Sequence, residues 1–135
     1  MKRHCLNLFL ALSMTAALLT GCGSEAQNTA DTDAISFEAV DMDGNTVTEE
    51  VFTQSKLTMV NVWATTCNPC LSEMPDLGKL ADEYDPADFQ IIGIVSDVME
   101  GADQTSLDEV EGLISETGAD YTHLLLNESL YYALL

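Results

Sequence analysis

The spacing of apolar residues changes several times after residue 35, and each change marks a new element. Ile35-Ser36-Phe37-Glu38-Ala39-Val40 alternates apolar with polar or small residues, the period of a half-buried strand. Asp43-Gly44 is a hairpin turn signal, and Thr46-Val47-Thr48 predicts the returning strand. The acids around that turn lack the spacing of a calcium loop, so turn chemistry explains them better. Leu57 to Trp63 is apolar and β-branched enough to read as an interior strand. A helix is expected from Cys67 to about Tyr84, with Pro75 kinking it. Phe89 to Val95 is a continuous apolar run, the mark of a central strand covered on both faces. Asp103 to Thr117 returns to helical period, with Leu107, Val110, Leu113 and Ile114 on one stripe and Gly118 as the stop. Tyr121 to Leu126 predicts a further strand, and Asn127-Glu128-Ser129 caps a helix beginning at Leu130. Strands alternating with helices predict an α/β layered fold with a largely parallel sheet and right-handed crossovers.

The first 34 residues follow other rules. Met1-Lys2-Arg3-His4 is basic, and the apolar stretch from Leu6 to Leu19 is short of the roughly 20 residues a membrane span needs. It suits the core of a signal peptide. Leu19-Thr20-Gly21-Cys22 resembles the lipoprotein signal of bacteria, in which the cysteine is lipidated and becomes the first residue of the mature chain. An ordinary signal peptide with a chance cysteine, or an uncleaved anchor, would share these features. The expected organisation is a lipoprotein signal peptide over 1–21, a flexible tether over 22–34 and one domain over 35–135. The 13-residue tether is small and polar, with a random-coil reach of about 20 Å.

Charge narrows the partners. Lys2, Arg3, Lys56 and Lys79 are the only Lys and Arg residues, against 23 acids that all lie beyond Cys22. With so little to neutralise phosphates, nucleic-acid binding is excluded as a function class. The acidic balance is read as a solvated surface.

The chemistry concentrates in Cys67-Asn68-Pro69-Cys70, directly after the predicted strand ending at Trp63. A helix start offers free N–H groups and the positive end of the dipole, both of which stabilise a thiolate. Spacing i,i+3 puts both sulfurs on one helical face, close enough to bridge. That points to a redox pair. Half a zinc site would also use two cysteines, but zinc takes four ligands. Once the signal leaves with Cys5, only Cys22 and His123 remain to supply them.

Trp63-Ala64-Thr65-Thr66-Cys67-Asn68-Pro69-Cys70, followed by Leu71-Ser72-Glu73-Met74-Pro75, resembles the active-site segment of membrane-anchored thioredoxin-like proteins of the TlpA/ResA type. The resemblance runs from about Phe37 to Leu135 and includes the N-terminal β-hairpin. It implies a thioredoxin-like fold, a mostly parallel central sheet with helices on both faces. It also implies an extracytoplasmic thiol:disulfide oxidoreductase that exchanges its dithiol with exported protein thiols and disulfides. Such a protein would act as a reductant, draw on a membrane electron donor, and need no cofactor beyond the Cys67–Cys70 disulfide. On that basis Cys67 is the expected exposed nucleophile and Cys70 the buried resolving thiol. Asn68 and Pro69 shape the turn, with Pro69 presetting φ where no N–H is needed. Trp63 either caps the rim of the site or packs in the core. Glu73, one turn after Cys70, is expected to be partly buried and to handle protons at the dithiol, unless it is simply a solvated first-turn acid. His123 is expected to pack or to face solvent rather than to catalyse.

Two departures qualify the resemblance. The prolines are only Pro69, Pro75 and Pro86, so the family's downstream cis-proline loop has no counterpart, and the sequence stops in an apolar helix at Tyr131-Tyr132-Ala133-Leu134-Leu135. The expectation is a domain lacking its last hairpin and helix, which leaves Val60 and Val62 on a strand with one open edge. Two other function classes compete with the oxidoreductase. One is a thiol-based metal-binding lipoprotein. The other is a peroxiredoxin-like peroxidase, which needs a proline and a threonine or serine where this chain has Val60 and Ala64.

Overall fold

The computed structural model describes residues 35–135. The expectations placed on 1–34, including lipidation at Cys22, lie outside the described residues. Strands β1 (Glu38–Val40) and β2 (Thr46–Thr48) pair antiparallel, Glu38 opposite Thr48 and Val40 opposite Thr46. Gly44 turns the chain between them with φ of 81°, a backbone region that glycine enters without a Cβ penalty. A short 3-10 helix, Glu49–Thr53, follows; no period in the sequence announced it.

The larger sheet has three parallel strands in the order β3 (Leu57–Trp63), β4 (Phe89–Met99), β5 (Thr122–Leu126). Helix α1 (Asn68–Glu83) connects β3 to β4, and α2 (Gln104–Thr117) connects β4 to β5. Helix α3 (Glu128–Leu134) ends the described chain, with Asn127 accepting from the Leu130 N–H as its N-cap. This is the expected thioredoxin-like α/β arrangement. α2 also has its expected ends: Asp103 accepts from the Ser106 N–H, and Gly118 closes the helix in the left-handed region at φ 65°.

Each face of the sheet carries its own apolar cluster. Ile92 and Ile94 of β4 join Leu124 and Leu126 of β5 against Phe37, Ala39, Val51 and Leu130, so the hairpin, the 3-10 helix and α3 cover one face. Val95 and Leu125 join Trp63, Met74, Val110 and Ala119, so α1 and α2 cover the other. β4 therefore has buried residues on both sides, as its unbroken apolar run predicted. Two ties seat the hairpin on the sheet. An antiparallel bridge joins Asp41 to Leu124, and the Met42 N–H donates to the His123 carbonyl at 3.1 Å.

Three local features add to the sequence reading. β3 has the apolar make-up of an interior strand, but among the described residues it has the open edge expected for the strand carrying Val60 and Val62. It pairs with β4 alone, and Leu57, Met59, Val60 and Val62 are 36–62% exposed. Its apolar composition set its strand character, but burial depends on neighbours that a segment does not encode. β4 runs four residues past the predicted end at Val95, carrying Ser96 and Asp97 beyond the end of β3. Finally, α1 extends over the expected residues with Pro75 inside it, and the missing N–H of Pro75 leaves the Leu71 carbonyl without its usual helical donor, the expected cause of a kink.

The helices approach closely at one point. A Cβ on Gly78 of α1 would collide with the Gly118 carbonyl at the end of α2. Glycine is what lets these backbones touch.

Candidate active site

Cys67 and Cys70 form a disulfide at the start of α1, with Cα atoms 5.3 Å apart. Cys67 is the N-cap. Its Sγ accepts the Cys70 N–H at 3.4 Å, and its carbonyl accepts the Leu71 N–H at 3.0 Å. Pro69 stands in the first turn, where a missing N–H costs nothing. In a chain with 23 acids, none falls in that first turn. The positive helix end is thus left for a sulfur anion.

Both cysteines are half-buried, so the pair is not split into one exposed and one buried thiol in this oxidised state. The asymmetry lies in what each touches. Cys67 receives the helix N–H, whereas Cys70 packs with Leu71 against the Trp63–Met74–Val95 cluster. Asn68 and Pro69 are exposed and form the outer rim.

The loop before Cys67 is tied down by the extension of β4. The Asp97 carboxylate accepts the Thr65 N–H at 3.0 and 2.9 Å and the Thr65 hydroxyl at 2.8 Å. The Ser96 hydroxyl donates to the Trp63 carbonyl at 2.9 Å. Ser96 and Asp97 were missed from sequence because they break the apolar run and read as a strand end. Their position just past β4's apolar stretch, level with the Cys-bearing loop, was the only available signal.

Trp63 is fully buried and packs in the core cluster that Cys70 adjoins. Its indole N–H donates to His123 Nδ1 at 3.0 Å, and the two rings meet edge-on with centroids 5.6 Å apart. His123 is only 3% exposed. Its Nε2 lies 2.9 Å from the Ala119 carbonyl, so the neutral ring carries its proton on Nε2 and accepts at Nδ1. Burial lowers its pKa from the ordinary 6.5, only partly opposed by the Ala119 carbonyl and Asp120. Tyr121 stacks on the imidazole and accepts from the Asn61 amide at 3.0 Å; burial raises its pKa above the ordinary 10.0, against that bond. Packing rather than solvent exposure is therefore correct for His123, with a polar partner that the sequence did not reveal.

Glu73 departs from expectation. It is exposed on α1 rather than partly buried, because Met74 and Gly78 are the residues that turn α1 inward. The structure thus brings together Trp63, Cys67, Asn68, Pro69 and Cys70 and leaves Glu73 on the solvent side.

A family model for the AhpC/TSA family matches residues 30–126. Over 46 residues the chain is 37% identical to a thioredoxin of Mycoplasma genitalium, covering 34% of this chain and 45% of that protein. It resembles the crystal structure of a thiol:disulfide interchange protein of the thioredoxin family from Chlorobium tepidum. There the identity is 28% and the TM-score 0.59, over 74% of this chain and 63% of the other. It also resembles the thioredoxin domain of a thiol-disulfide oxidoreductase from Bacteroides vulgatus, with 24% identity and a TM-score of 0.56 over 72% and 64%. The chain thus spans less than two thirds of the length of each of these relatives.

Proposed function

The chain belongs to the AhpC/TSA family, and on that premise we propose that it is a thiol:disulfide oxidoreductase working through Cys67 and Cys70. The observation that carries this is the disulfide at the N-terminus of α1, with the Cys70 N–H aimed at Cys67 Sγ. Reduction of that bond releases a Cys67 thiolate at the positive helix end, where related C-x-x-C thiols have pKa values of about 3.5 to 7. The thiolate attacks one sulfur of a substrate disulfide. A mixed disulfide forms, and the other substrate sulfur leaves as a thiolate that takes up a proton. Cys70, as thiolate, then attacks Cys67 Sγ and expels the second substrate sulfur. Two electrons pass to the substrate, and the pair returns to the observed disulfide. Glu73, exposed one turn beyond Cys70, is a proposed carrier of these protons from the solvent side. Its Gln variant would shift the pH dependence of exchange.

The substrates in this reading are disulfides of exported proteins, and the reduced pair is regenerated by a membrane electron donor. Leu19-Thr20-Gly21-Cys22 supports an extracytoplasmic location with a lipid anchor at Cys22, two acyl chains being enough for stable attachment. Mass spectrometry of the mature N-terminus tests that part, and an unmodified Cys22 would refute it. Among the described residues, no helix is long and apolar enough to cross a membrane.

Reduction of insulin disulfides by dithiothreitol, with and without the protein, tests the activity. The proposal expects acceleration that disappears in Cys67→Ser. Peroxide consumption tests the peroxidase alternative, and zinc or copper stoichiometry tests the metal-binding one. His123 is a poor third ligand, since both its ring nitrogens already have partners.

A further inference from the structure

His123 is on β5 and Trp63 on β3, with β4 between them. Two strand spacings amount to about 10 Å, and a side chain on the middle strand would normally separate the two rings. Here the register places Gly93 directly beside His123 on one side and Asn61 on the other. A Cβ at Gly93 would overlap the imidazole at Nδ1, Cε1 and Cγ. The imidazole therefore lies over the bare backbone of β4 and reaches the indole N–H of Trp63. A glycine inside a strand often marks such a close approach.

The ring has no freedom to turn away. Nε2 is held by the Ala119 carbonyl, and Tyr121 stacks on the face at a centroid distance of 4.5 Å. Trp63 in turn is the last residue of β3 and stands four positions before Cys67. It belongs to the apolar cluster against which Cys70 and Leu71 pack.

We propose that His123 is a positioning residue for the Cys67–Cys70 pair, holding Trp63 beneath the redox loop while Nδ1 is unprotonated and releasing it on protonation. The consequence for the dithiol rests on the function proposed above; the His123–Trp63 contact does not. A proton on Nδ1 sets two donors against each other across 3.0 Å in a buried site, so the Trp63 N–H loses its acceptor. The charged and titratable groups around the ring are Asp41 and Asp43 from the β1–β2 turn, Glu111 from α2, and Asp120 and Tyr121 ahead of β5. All of them share with His123 the lining of one cavity of about 360 Å³. β3 and β4 face the ring with neutral groups only, Asn61, Trp63 and Gly93. Of these, Asp120 favours the imidazolium, as does the Ala119 carbonyl, while burial opposes it and prevails, placing the transition below the ordinary 6.5.

Trp63 is the only tryptophan in the chain, so its emission reports this one contact. The full chain, oxidised and reduced, is titrated from about pH 7.5 to about 4.5, through and below the histidine range. Far-UV circular dichroism is followed in parallel. Wild type should show a one-proton change in Trp63 emission, because an imidazolium quenches indole. In His123→Asn the amide oxygen takes the acceptor position, and the high-pH emission should persist throughout. Gly93→Ala, which displaces the ring, should show altered emission already at neutral pH.

The second readout is the equilibrium in which the disulfide and two glutathione thiols exchange for the dithiol and glutathione disulfide. Between neutral and acid pH, the wild-type constant should depart from that of His123→Asn by about fivefold, the worth of one hydrogen bond. A flat wild-type emission, a transition that survives in His123→Asn, or identical glutathione equilibria at every pH would each overturn the proposal. If the variants fail to fold, wild type alone decides: NMR titration of the His123 ring must share its midpoint with the emission change, and separate midpoints overturn it. Absence of insulin reduction would refute the proposed function yet leave both readouts intact, because the pair still equilibrates with glutathione.

Discussion

Removing the Asp97 carboxylate should loosen the loop that presents Cys67. In Asp97→Ala, the Thr65 N–H loses an acceptor at 2.9–3.0 Å and the Thr65 hydroxyl loses one at 2.8 Å. Hydrogen bonds to a charged group are worth about 1.5–3 kcal/mol when shielded from water. Asp97 is exposed, so water replaces much of what is lost, and we expect about 1 kcal/mol of destabilisation in all. Asp97→Asn keeps an acceptor oxygen and should lose about half of that. Thr65→Ala removes the hydroxyl but not the N–H. A double-mutant cycle of Thr65→Ala with Asp97→Ala therefore isolates the hydroxyl–carboxylate bond, expected at about 0.5 kcal/mol. Urea unfolding of the oxidised protein measures all four species, and a shifted midpoint at constant slope is the expected signature. The reasoning is wrong if Asp97→Ala lies within about 0.3 kcal/mol of wild type, or if the two substitutions add without coupling.

Other consequences follow from the same geometry. Cys70→Ser should accumulate mixed disulfides through Cys67, seen as adducts on non-reducing gels, because resolution of the intermediate is lost. Gly78→Ala places a methyl group against the Gly118 carbonyl, and should cost more than about 2 kcal/mol in chemical denaturation, unlike most exposed Gly→Ala changes in helices. The depressed pKa of His123 makes it a source of acid sensitivity. The unfolded chain takes up a proton near pH 6.5 that the folded protein refuses. The contribution of His123 is therefore fully present above that value and is lost as pH falls through the window down to the folded pKa. The stability difference between wild type and His123→Asn should shrink in that direction.

The sequence made plain whatever a single segment can specify. The unbroken apolar run around Ile91 to Val95 required cover on both faces, and the structure gives it that. Asp103, Gly118 and Asn127 announced helix ends through side-chain or backbone chemistry that acts within a few residues. Cys67 and Cys70 were legible for the same reason, since their spacing and their place after a strand are local facts. What escaped depends on register and neighbours. The length of β4 past Val95 is set by the loop it ties down, not by its apolar run, although the open edge of β3 was expected from the missing neighbour. Glu73 lies on the same stripe as Cys70, but the inward direction of α1 is set by Met74 and by the glycine contact at Gly78. The Trp63–His123 bond joins residues 60 positions apart. Its sole trace in the sequence is Gly93, a glycine in the middle of a strand that has every other reason to avoid one.

The roles of the two cysteines are tested most directly by peptide-resolved alkylation of the fully reduced protein across pH. Cys67 should react faster than Cys70 near neutral pH. Its rate should level off well below the ordinary thiol value of about 8.5, since the α1 N-terminus stabilises its anion. Equal rates for the two thiols, or a Cys67 profile that rises only around 8.5, would contradict the account.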